Sequence, residues 1–218
     1  MKKQLCSLAV LSFITLCALN ADAQMTIGGR VGLDIGSLSY SPGLPSGNNT
    51  SYHTGFLVGA QMDEWFNNMW AISVQLLYDQ KGSFINENVS ALDDEALSYL
   101  EIPILAKVSF GSGDVKPYLF AGPSIGIQLS ATRTYDNVSS TSMSDDTDYN
   151  KIDLAVLVGG GVSYKLAGGP SLFLDAGYAI GLINIAKNNA YNTSASGASE
   201  TVKTSDIRLA AGILFPLN

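Results

Sequence analysis

The segment from Tyr99 to Phe110 reads Y-L-E-I-P-I-L-A-K-V-S-F and alternates between two kinds of side chain. One phase carries only apolar residues, from Leu100 to Phe110, and the other carries Glu101 and Lys107 among smaller or apolar residues. Successive side chains of a strand point to opposite faces of a sheet. The alternation therefore predicts a β-strand with one wholly apolar face.

The same period recurs in eight strand-length segments whose connections alternate between short and long. The predicted strands are residues 26–37, 54–66, 70–83, 98–110, 116–134, 151–165, 170–186 and 205–216. The short connections are Asn67-Asn68-Met69, Gly111-Ser112-Gly113-Asp114 and Ala167-Gly168-Gly169, and the long ones are Leu38 to His53, Phe84 to Leu97, Tyr135 to Asn150 and Lys187 to Thr204. Outer-membrane barrels alternate tight periplasmic turns with longer extracellular loops. The sequence therefore predicts an all-β fold, an eight-stranded antiparallel up-and-down transmembrane β-barrel with short periplasmic turns and four long extracellular loops.

A soluble barrel would show the same alternation with its faces exchanged, its apolar phase inside and its polar phase in water. The composition favours the membrane barrel, because charged residues make up 14% of the chain, against about 25% in a typical soluble domain. The polar phase is mostly Gly, Ala and Ser with isolated charges, which suits the narrow interior of an eight-stranded barrel. A soluble periplasmic ligand-binding barrel is left as an alternative.

The first residues have the three parts of a secretory signal. Lys2 and Lys3 form a basic start, an apolar run follows, and Ala21-Asp22-Ala23 forms an A-x-A cleavage site before Gln24. We therefore expect cleavage after Ala23 and export to the outer membrane of a Gram-negative cell envelope. The predicted domains are residues 1–23, a cleaved signal peptide, and residues 24–218, an outer-membrane β-barrel domain.

Charge and cysteine content exclude other classes. The formal net charge is −7 and no basic cluster is present, so nothing in the chain would neutralise the phosphates of a nucleic acid. Both cysteines, Cys6 and Cys17, lie in the predicted signal peptide. The exported chain is therefore expected to hold its shape without disulfides, and outer-membrane lipid is its expected surrounding.

One phase of the predicted strands collects a polar set of mixed charge that we expect inside the barrel. Charges confined in a narrow lumen must pair or be solvated, because an isolated buried ion costs much free energy. We therefore expect this set to act structurally, as a salt-bridge plug that fixes the register and fills the barrel. Its members are Arg30, Asp34, Gln61, Asp63, Gln75, Asp79, Lys81, Glu101, Lys107, Gln128, Asp153, Asp175 and Arg208.

Two consecutive segments carry a family resemblance. Tyr99-Leu100-Glu101-Ile102-Pro103-Ile104-Leu105-Ala106-Lys107, followed by Lys116-Pro117-Tyr118-Leu119-Phe120-Ala121-Gly122-Pro123-Ser124-Ile125-Gly126, resembles the PorT-like outer-membrane β-barrel family of Bacteroidetes-type bacteria. In that family an L-E-I-P-L-L-x-K-like strand precedes a P-Y-x-x-x-G-P-like strand. Gly55 to Gly59 and Asp175 to Tyr178 resemble its second and seventh strands. The resemblance implies an eight-stranded barrel inserted by the barrel-assembly machinery, and it does not fix an activity.

Patterns for catalysis and metal binding are incomplete. Small barrels that modify lipids need a His paired with Ser, Asp or Glu, and no such spacing surrounds the only histidine, His53. Asp146, Asp148 and Asn150 open like a calcium loop, but Lys151 stands where that loop requires Gly. We therefore predict no catalytic, cofactor-binding or metal-ligating residues and no cofactor.

The sequence predicts a non-enzymatic, monomeric outer-membrane protein with a closed polar interior. Its role is expected in envelope integrity or in loop-mediated binding or adhesion to an extracellular protein or glycan. Three alternatives stay open: an outer-membrane lipid-modifying enzyme, an accessory barrel of a secretion system, and the soluble ligand-binding barrel.

Overall fold

The computed structural model describes residues 24–41, 49–86, 92–135, 139–142, 150–185 and 201–217. The predicted signal peptide, including Ala23 of its cleavage site, lies outside the described residues. No helix within the described ranges is long and apolar enough to cross a bilayer. The strands of this part of the chain are β1 (Gln24–Ser41), β2 (Asn49–Trp65), β3 (Trp70–Asn86), β4 (Leu92–Ser109), β5 (Val115–Tyr135), β6 (Ser139–Ser142), β7 (Ile152–Lys165), β8 (Ser171–Gly181) and β9 (Thr201–Leu217).

All strands except the short β6 form a closed antiparallel barrel. The hydrogen-bonded order is β4-β3-β2-β1-β9-β8-β7-β5, and a β4–β5 pairing completes the ring. β1 pairs with β9 from Met25 opposite Leu217 to Ser41 opposite Thr201. The prediction of an eight-stranded up-and-down barrel is confirmed.

Short turns join β2 to β3, β4 to β5 and β7 to β8 at one end of the barrel, where the sequence predicts tight connections. In the first of these turns the side-chain oxygen of Asn67 accepts hydrogen bonds from the backbone N–H groups of Met69, at 2.8 Å, and Trp70, at 2.9 Å. In the last, Gly168 and Gly169 have φ angles of 100° and 110°, a region that residues with a Cβ atom rarely adopt. Local side-chain and glycine chemistry thus fixes these turns.

At the opposite end the strands run farther than the sequence predicts. The predicted loop Leu38 to His53 is largely strand, because β1 continues to Ser41 and β2 begins at Asn49. The predicted loop Phe84 to Leu97 likewise contributes residues to both β3 and β4. The polar composition indicated loops, but strand formation depends more on the pairing partner than on intrinsic preference. These residues have a neighbouring strand to pair with, so they stay in the sheet.

The other two predicted loops are also partly ordered as strand. Within Tyr135 to Asn150, β6 pairs with the end of β5 as a short hairpin. β9 begins at Thr201, inside the predicted loop Lys187 to Thr204. The predicted strand 170–186 is too long, since β8 ends at Gly181 and the chain then bends so that the N–H of Ile185 donates to the carbonyl of Val202 at 2.9 Å.

Apolar side chains face outward over a continuous belt, whereas polar side chains face the lumen. In β9, Ile207 and Leu209 are 43% and 44% exposed, while Asp206 and Arg208 are 2% and 4% exposed. The same alternation of exposed and buried residues runs along β7 and β8. A soluble barrel requires the apolar phase inside, so these faces are those of a membrane barrel.

Aromatic side chains border the apolar belt at both ends, as the interfacial girdles of outer-membrane barrels do. At the outer end, opposite the short turns, the rings of Phe56 and Tyr78 lie 5.7 Å apart. At the end with the short turns, the girdle residues are each between 42% and 50% exposed: Phe66, Trp70, Phe110, Tyr164 and Phe215.

Leu209→Arg tests the outward belt. We expect this substitution to lower the free energy of unfolding by about 2–4 kcal/mol, because the guanidinium group would lie in hydrocarbon. The matched control is Ser39→Arg, at an exposed outward position that lies opposite Lys203, beyond the belt, where we expect a loss of less than about 1 kcal/mol. Denaturant unfolding in lipid vesicles measures both variants. Equal losses would contradict the position of the belt.

Candidate functional site

The lumen holds the polar side chains and is the candidate functional site. Every residue of the predicted polar set is buried, with at most 7% of its surface exposed. Twelve of the residues that line the lumen form two groups joined by short polar contacts; Gln75, Gln128 and Asp153 of the predicted set lie beside them. The first group, the central ion cluster, consists of Asp34, Asp79, Lys81, Glu101, Asp206 and Arg208. The second, the lower network, lies nearer the short turns and consists of Arg30, Gln61, Asp63, Lys107, Tyr118 and Asp175.

In the central ion cluster each of the two cations bridges several carboxylates. Arg208 Nε lies 3.0 Å from Asp34 Oδ2. Its Nη2 lies 2.9 Å from Asp79 Oδ2 and 2.8 Å from Glu101 Oε2. Lys81 Nζ lies 2.5 Å from Glu101 Oε1 and 2.8 Å from Asp206 Oδ2. Glu101 thus contacts both cations and joins them into one cluster.

The sheet register assembles the central ion cluster from four strands. Asp34 on β1 lies directly opposite Arg208 on β9, although 174 residues separate them in the chain. Asp206 lies two residues before Arg208 and therefore points to the same face. Asp79 and Lys81 lie in the same way on β3, and Glu101 is supplied by β4. Barrel closure, rather than local sequence, brings these charges into contact.

The lower network is a chain of hydrogen bonds across the lumen. Arg30 donates from Nη1 to Gln61 Oε1 and from Nη2 to Asp175 Oδ1, both at 2.9 Å. Gln61 Nε2 donates to Asp63 Oδ1, and Lys107 Nζ donates to Asp63 Oδ2, both at 2.9 Å. The hydroxyl of Tyr118 donates to Asp175 Oδ2 at 3.0 Å. Two cations face two carboxylates here, so the buried charge of this network is balanced.

Aromatic faces give the lower cations a second contact. Lys107 Nζ lies 4.1 Å from the ring centroid of Tyr118 and 5.6 Å from that of Trp65. The guanidinium carbon of Arg30 lies 5.5 Å from the ring centroid of Phe173. A cation within about 6 Å of a ring face is attracted by the ring quadrupole. The rings therefore offset part of the cost of taking these cations out of water.

Apolar side chains fill the rest of the lumen. One buried cluster, around the lower network, consists of Leu105, Tyr118, Phe120, Leu157, Phe173, Ala179 and Leu214. Another, which we call the outer cap, consists of Leu97, Tyr99, Ala131, Ile185 and Val202. A cavity between Gln75 and Lys107 has a volume of about 10 Å³, close to the minimum that holds one water molecule. In the described part of the barrel the lumen is therefore closed by packed side chains.

The remaining members of the predicted set lie beside these groups. Gln75 is opposite Gln61 on the neighbouring strand, Gln128 is opposite Tyr99, and Asp153 Oδ2 accepts a hydrogen bond from the Thr204 hydroxyl at 3.0 Å.

The predicted set omits two polar groups that the structure places in the networks, Asp206 and the Tyr118 hydroxyl. The pleat phase of Arg208 includes Asp206, so the alternation was a sufficient signal for that residue. Tyr118 reads as an apolar lumen residue in sequence, and only its contact with Asp175 gives its hydroxyl a role.

The arrangement favours ion pairing over catalysis. His53, predicted at the outer end of the second strand, lies inside β2 opposite Gly36 and is half-buried. Among the described residues, no three or more His, Cys, Asp or Glu side chains are grouped so as to hold a metal ion.

Comparison with known proteins places this geometry among outer-membrane barrels. A family model described as "Outer membrane protein beta-barrel domain" matches residues 20–187. The solved structure of the outer membrane protein OprG from Pseudomonas aeruginosa is similar, with a TM-score of 0.59 and 12% identity over 90% of this chain and 96% of that one. Neisserial surface protein A has a TM-score of 0.47 and 19% identity over 87% and 96% of the two chains. No curated protein sequence matches the chain.

Lys107→Met tests the energetic coupling in the lower network. We expect the single substitution to lower the free energy of unfolding by about 3–5 kcal/mol, because Asp63 would stay buried without its cation. The double variant Asp63→Leu/Lys107→Met should recover more than half of that loss, since both charges are then absent. Denaturant unfolding in detergent micelles measures the pair. A double variant no more stable than the single one would contradict the coupling.

Proposed function

The chain belongs to the outer membrane protein β-barrel domain family, and from this premise we propose that it is a non-enzymatic barrel, closed inside, that binds an extracellular protein or glycan through its outer hairpins. The observation that carries the proposal is the filled lumen. In the described part of the barrel, two ion-paired groups and two apolar clusters occupy the space that a porin would leave to water. A barrel of this kind offers its outer surface, rather than a channel, for function.

The length of the strands supports a role beyond the membrane. A strand needs about 9–11 residues to cross a bilayer when tilted, whereas β1, β4 and β5 have 18, 18 and 21 residues. All described short turns lie at one end, so the surplus residues extend from the other. There β1 and β9 remain paired as far as Ser41 and Thr201. The β1–β9 and β3–β4 pairs thus extend as paired strands toward the outer connections, which lowers the entropy that a partner would have to remove on binding.

The outward-facing residues of β9 change from apolar to polar beyond the membrane belt. Inside the belt the outward residues of β9 are Ile207, Leu209 and Phe215, and beyond it they are Ser205 and the exposed Lys203. The exposed Ser39 lies opposite Lys203 on β1. Polar outward residues suit a wall that leaves the hydrocarbon for the headgroup region and water.

The proposal includes the route by which the chain reaches the outer membrane. Residues 1–23 act as a signal peptide that is cleaved between Ala23 and Gln24, and the barrel-assembly machinery inserts the chain into outer-membrane lipid as a monomer. A contribution to envelope integrity accompanies the binding role, because a closed barrel adds no leak to the membrane. Membership of the narrower PorT-like group belongs to the same proposal and rests on the motifs of residues 99–107 and 116–126.

The closed lumen predicts the absence of a stable ion current. Purified barrel inserted into a planar lipid bilayer should give no sustained open-channel steps, because ions would have to displace Lys81 and Arg208 from their carboxylates. An open porin added to the same membrane controls for insertion and sensitivity. Long-lived steps of uniform size from the purified protein would contradict the closed lumen.

Replacement of the outer connections tests the binding role. A variant in which residues 42–48, 87–91, 143–149 and 186–200 are each replaced by a Gly-Asn turn should keep the heat-modifiable gel migration of a folded barrel. We expect it to lose adhesion of expressing cells to an array of immobilised glycans and extracellular-matrix proteins.

The matched control for this variant changes the other end of the barrel. Replacing Gly111-Ser112-Gly113-Asp114 with a different tight turn should leave adhesion unchanged. Equal adhesion by the outer-turn variant and the unaltered protein would place the binding surface elsewhere and overturn the proposal.

A further inference from the structure

A polar pocket opens at the end of the barrel that carries the short turns. Its volume is about 130 Å³, and its lining comes from six strands and from all three short turns. The strand residues that line it belong to the lumen-facing phase; Lys116, for example, lies two residues before the buried Tyr118 on β5. The pocket is therefore the periplasmic mouth of the lumen. We call it the mouth pocket, and its lining includes Thr26, Trp65, Asn68, Asp114, Lys116 and Lys165.

Two lysines on neighbouring strands give the mouth pocket positive charge. Lys116 on β5 lies opposite Ser163 on β7, and Lys165 lies two residues beyond Ser163 on the same face. Neither lysine makes an ion pair within the described part of the chain. Among the described residues that line the pocket, Asp114 is the one acid, and its carbonyl accepts a hydrogen bond from the backbone N–H of Lys165 at 2.8 Å. The pocket thus carries one positive charge in excess.

Neutral polar groups and one aromatic ring complete the lining. Gln24 and Asn68 carry amides, which both donate and accept hydrogen bonds. Thr26 Oγ1 is buried and has no hydrogen-bond partner among the described residues. Trp65 lines the pocket, and its ring centroid also lies 5.6 Å from Lys107 Nζ of the lower network. The indole ring therefore lies between the mouth pocket and the lower network.

We propose that the mouth pocket binds the carboxylate end of a short peptide, of the kind that peptidoglycan strands carry in the periplasm. Ammonium groups form charge-assisted hydrogen bonds with carboxylates, so Lys116 and Lys165 hold the carboxylate. The amides of Gln24 and Asn68 pair with the N–H and C=O groups of the peptide. The ring of Trp65 packs against the terminal side chain.

The size and position of the pocket favour this ligand over others. A volume of about 130 Å³ holds one terminal residue rather than the surface of a folded protein. Lipid contacts the opposite phase of the strands, to which the exposed Val115 and Tyr164 belong, so a lipid headgroup lies outside the wall that encloses the pocket. A free phosphate ion would use the two lysines but neither the amides nor the indole ring.

The bound peptide links the barrel to the cell wall beneath the membrane. This role goes beyond binding through the outer hairpins, because it uses the opposite end of the barrel. The two roles are tested separately, since replacement of the outer connections leaves every residue of the mouth pocket in place. A link to the cell wall also gives a physical basis for a contribution to envelope integrity.

Tryptophan fluorescence tests the site. The chain has two tryptophans, so Trp70→Phe leaves Trp65 as the single emitter. This barrel is extracted from membranes in detergent and titrated with a soluble disaccharide-tetrapeptide released from purified peptidoglycan. We expect a saturable change in the emission of Trp65. The same compound with its terminal carboxylate amidated, and inorganic phosphate at equal concentration, should give no such change.

Co-sedimentation with intact peptidoglycan sacculi supplies a second measurement that does not depend on fluorescence. The unaltered protein in detergent should be recovered in the pellet with the sacculi. Sacculi whose peptides have been removed by an amidase keep their glycan strands, and they should leave the protein in the supernatant.

Lys116→Gln/Lys165→Gln should weaken binding of the disaccharide-tetrapeptide by roughly tenfold or more, because the carboxylate loses its charge-assisted hydrogen bonds. Heat-modifiable gel migration checks that this variant folds. The matched control Lys151→Gln/Lys203→Gln removes the same charge from exposed positions at the outer end and should bind as the unaltered protein does. Asn68→Ala, in an exposed turn, should also weaken binding, which keeps the test decisive if the first variant folds poorly.

Three outcomes would overturn the proposal. In the first, the disaccharide-tetrapeptide changes no Trp65 emission and the protein does not sediment with sacculi. In the second, the Lys116/Lys165 variant binds as tightly as the outer-end control, so the lysines of the mouth pocket do not hold the ligand. In the third, phosphate or the amidated compound gives an equal response, so the pocket does not recognise the carboxylate end of a peptide.

Discussion

Backbone hydrogen bonding in a medium without water is the constraint on which the rest of this structure depends. Within hydrocarbon each unpaired N–H or C=O group costs several kcal/mol, roughly, so a spanning sheet must leave no open edge. Here β1 and β9 meet along their whole described length, from Met25 opposite Leu217 to Ser41 opposite Thr201. This closure, together with the tight turns and the apolar pattern of the strands, determines which residues face lipid and which face the lumen.

Closure makes the interior narrow, and the narrow interior determines the chemistry of the buried charges. Eight strands leave a space that side chains just fill, so an ion in it cannot keep its water and must find a partner. The buried ions are paired in different ways at two depths of the lumen. The lower network balances its charges and adds aromatic faces beside Arg30 and Lys107. The central ion cluster shares Lys81 and Arg208 among more carboxylates than they neutralise.

A filled lumen and long strands together are the physical reason for proposing that this protein functions at its outer surface. The two apolar clusters pack side chains of β4, β5, β7, β8 and β9 across the lumen, and β1 and β9 stay paired past the membrane belt. Opening the barrel as a channel would require breaking this packing and the ion pairs of the lumen. Likeness to OprG at 12% identity supports the shared barrel fold and leaves the binding partner to be identified by experiment.

The sequence by itself determined the strand count, the tight turns and the two faces, because each depends on local chemistry: the two-residue pleat, the turn residues from Asn67 to Gly169, and the apolar phase typified by Leu100 to Phe110. The same pleat phase placed the polar set on one face, and all its members are buried in the structure. The sequence could not locate the strand ends, because polar residues such as Asn49 lie in a strand only where a neighbouring strand pairs with them. Nor could the sequence identify the ion-pair partners in the lumen. Asp34 contacts Arg208, 174 residues away in the chain, because the register of the closed ring places them opposite each other. Only the tertiary structure decided which charges touch, where the negative excess lies and how the lumen is sealed, since those follow from closure and not from neighbours in the chain.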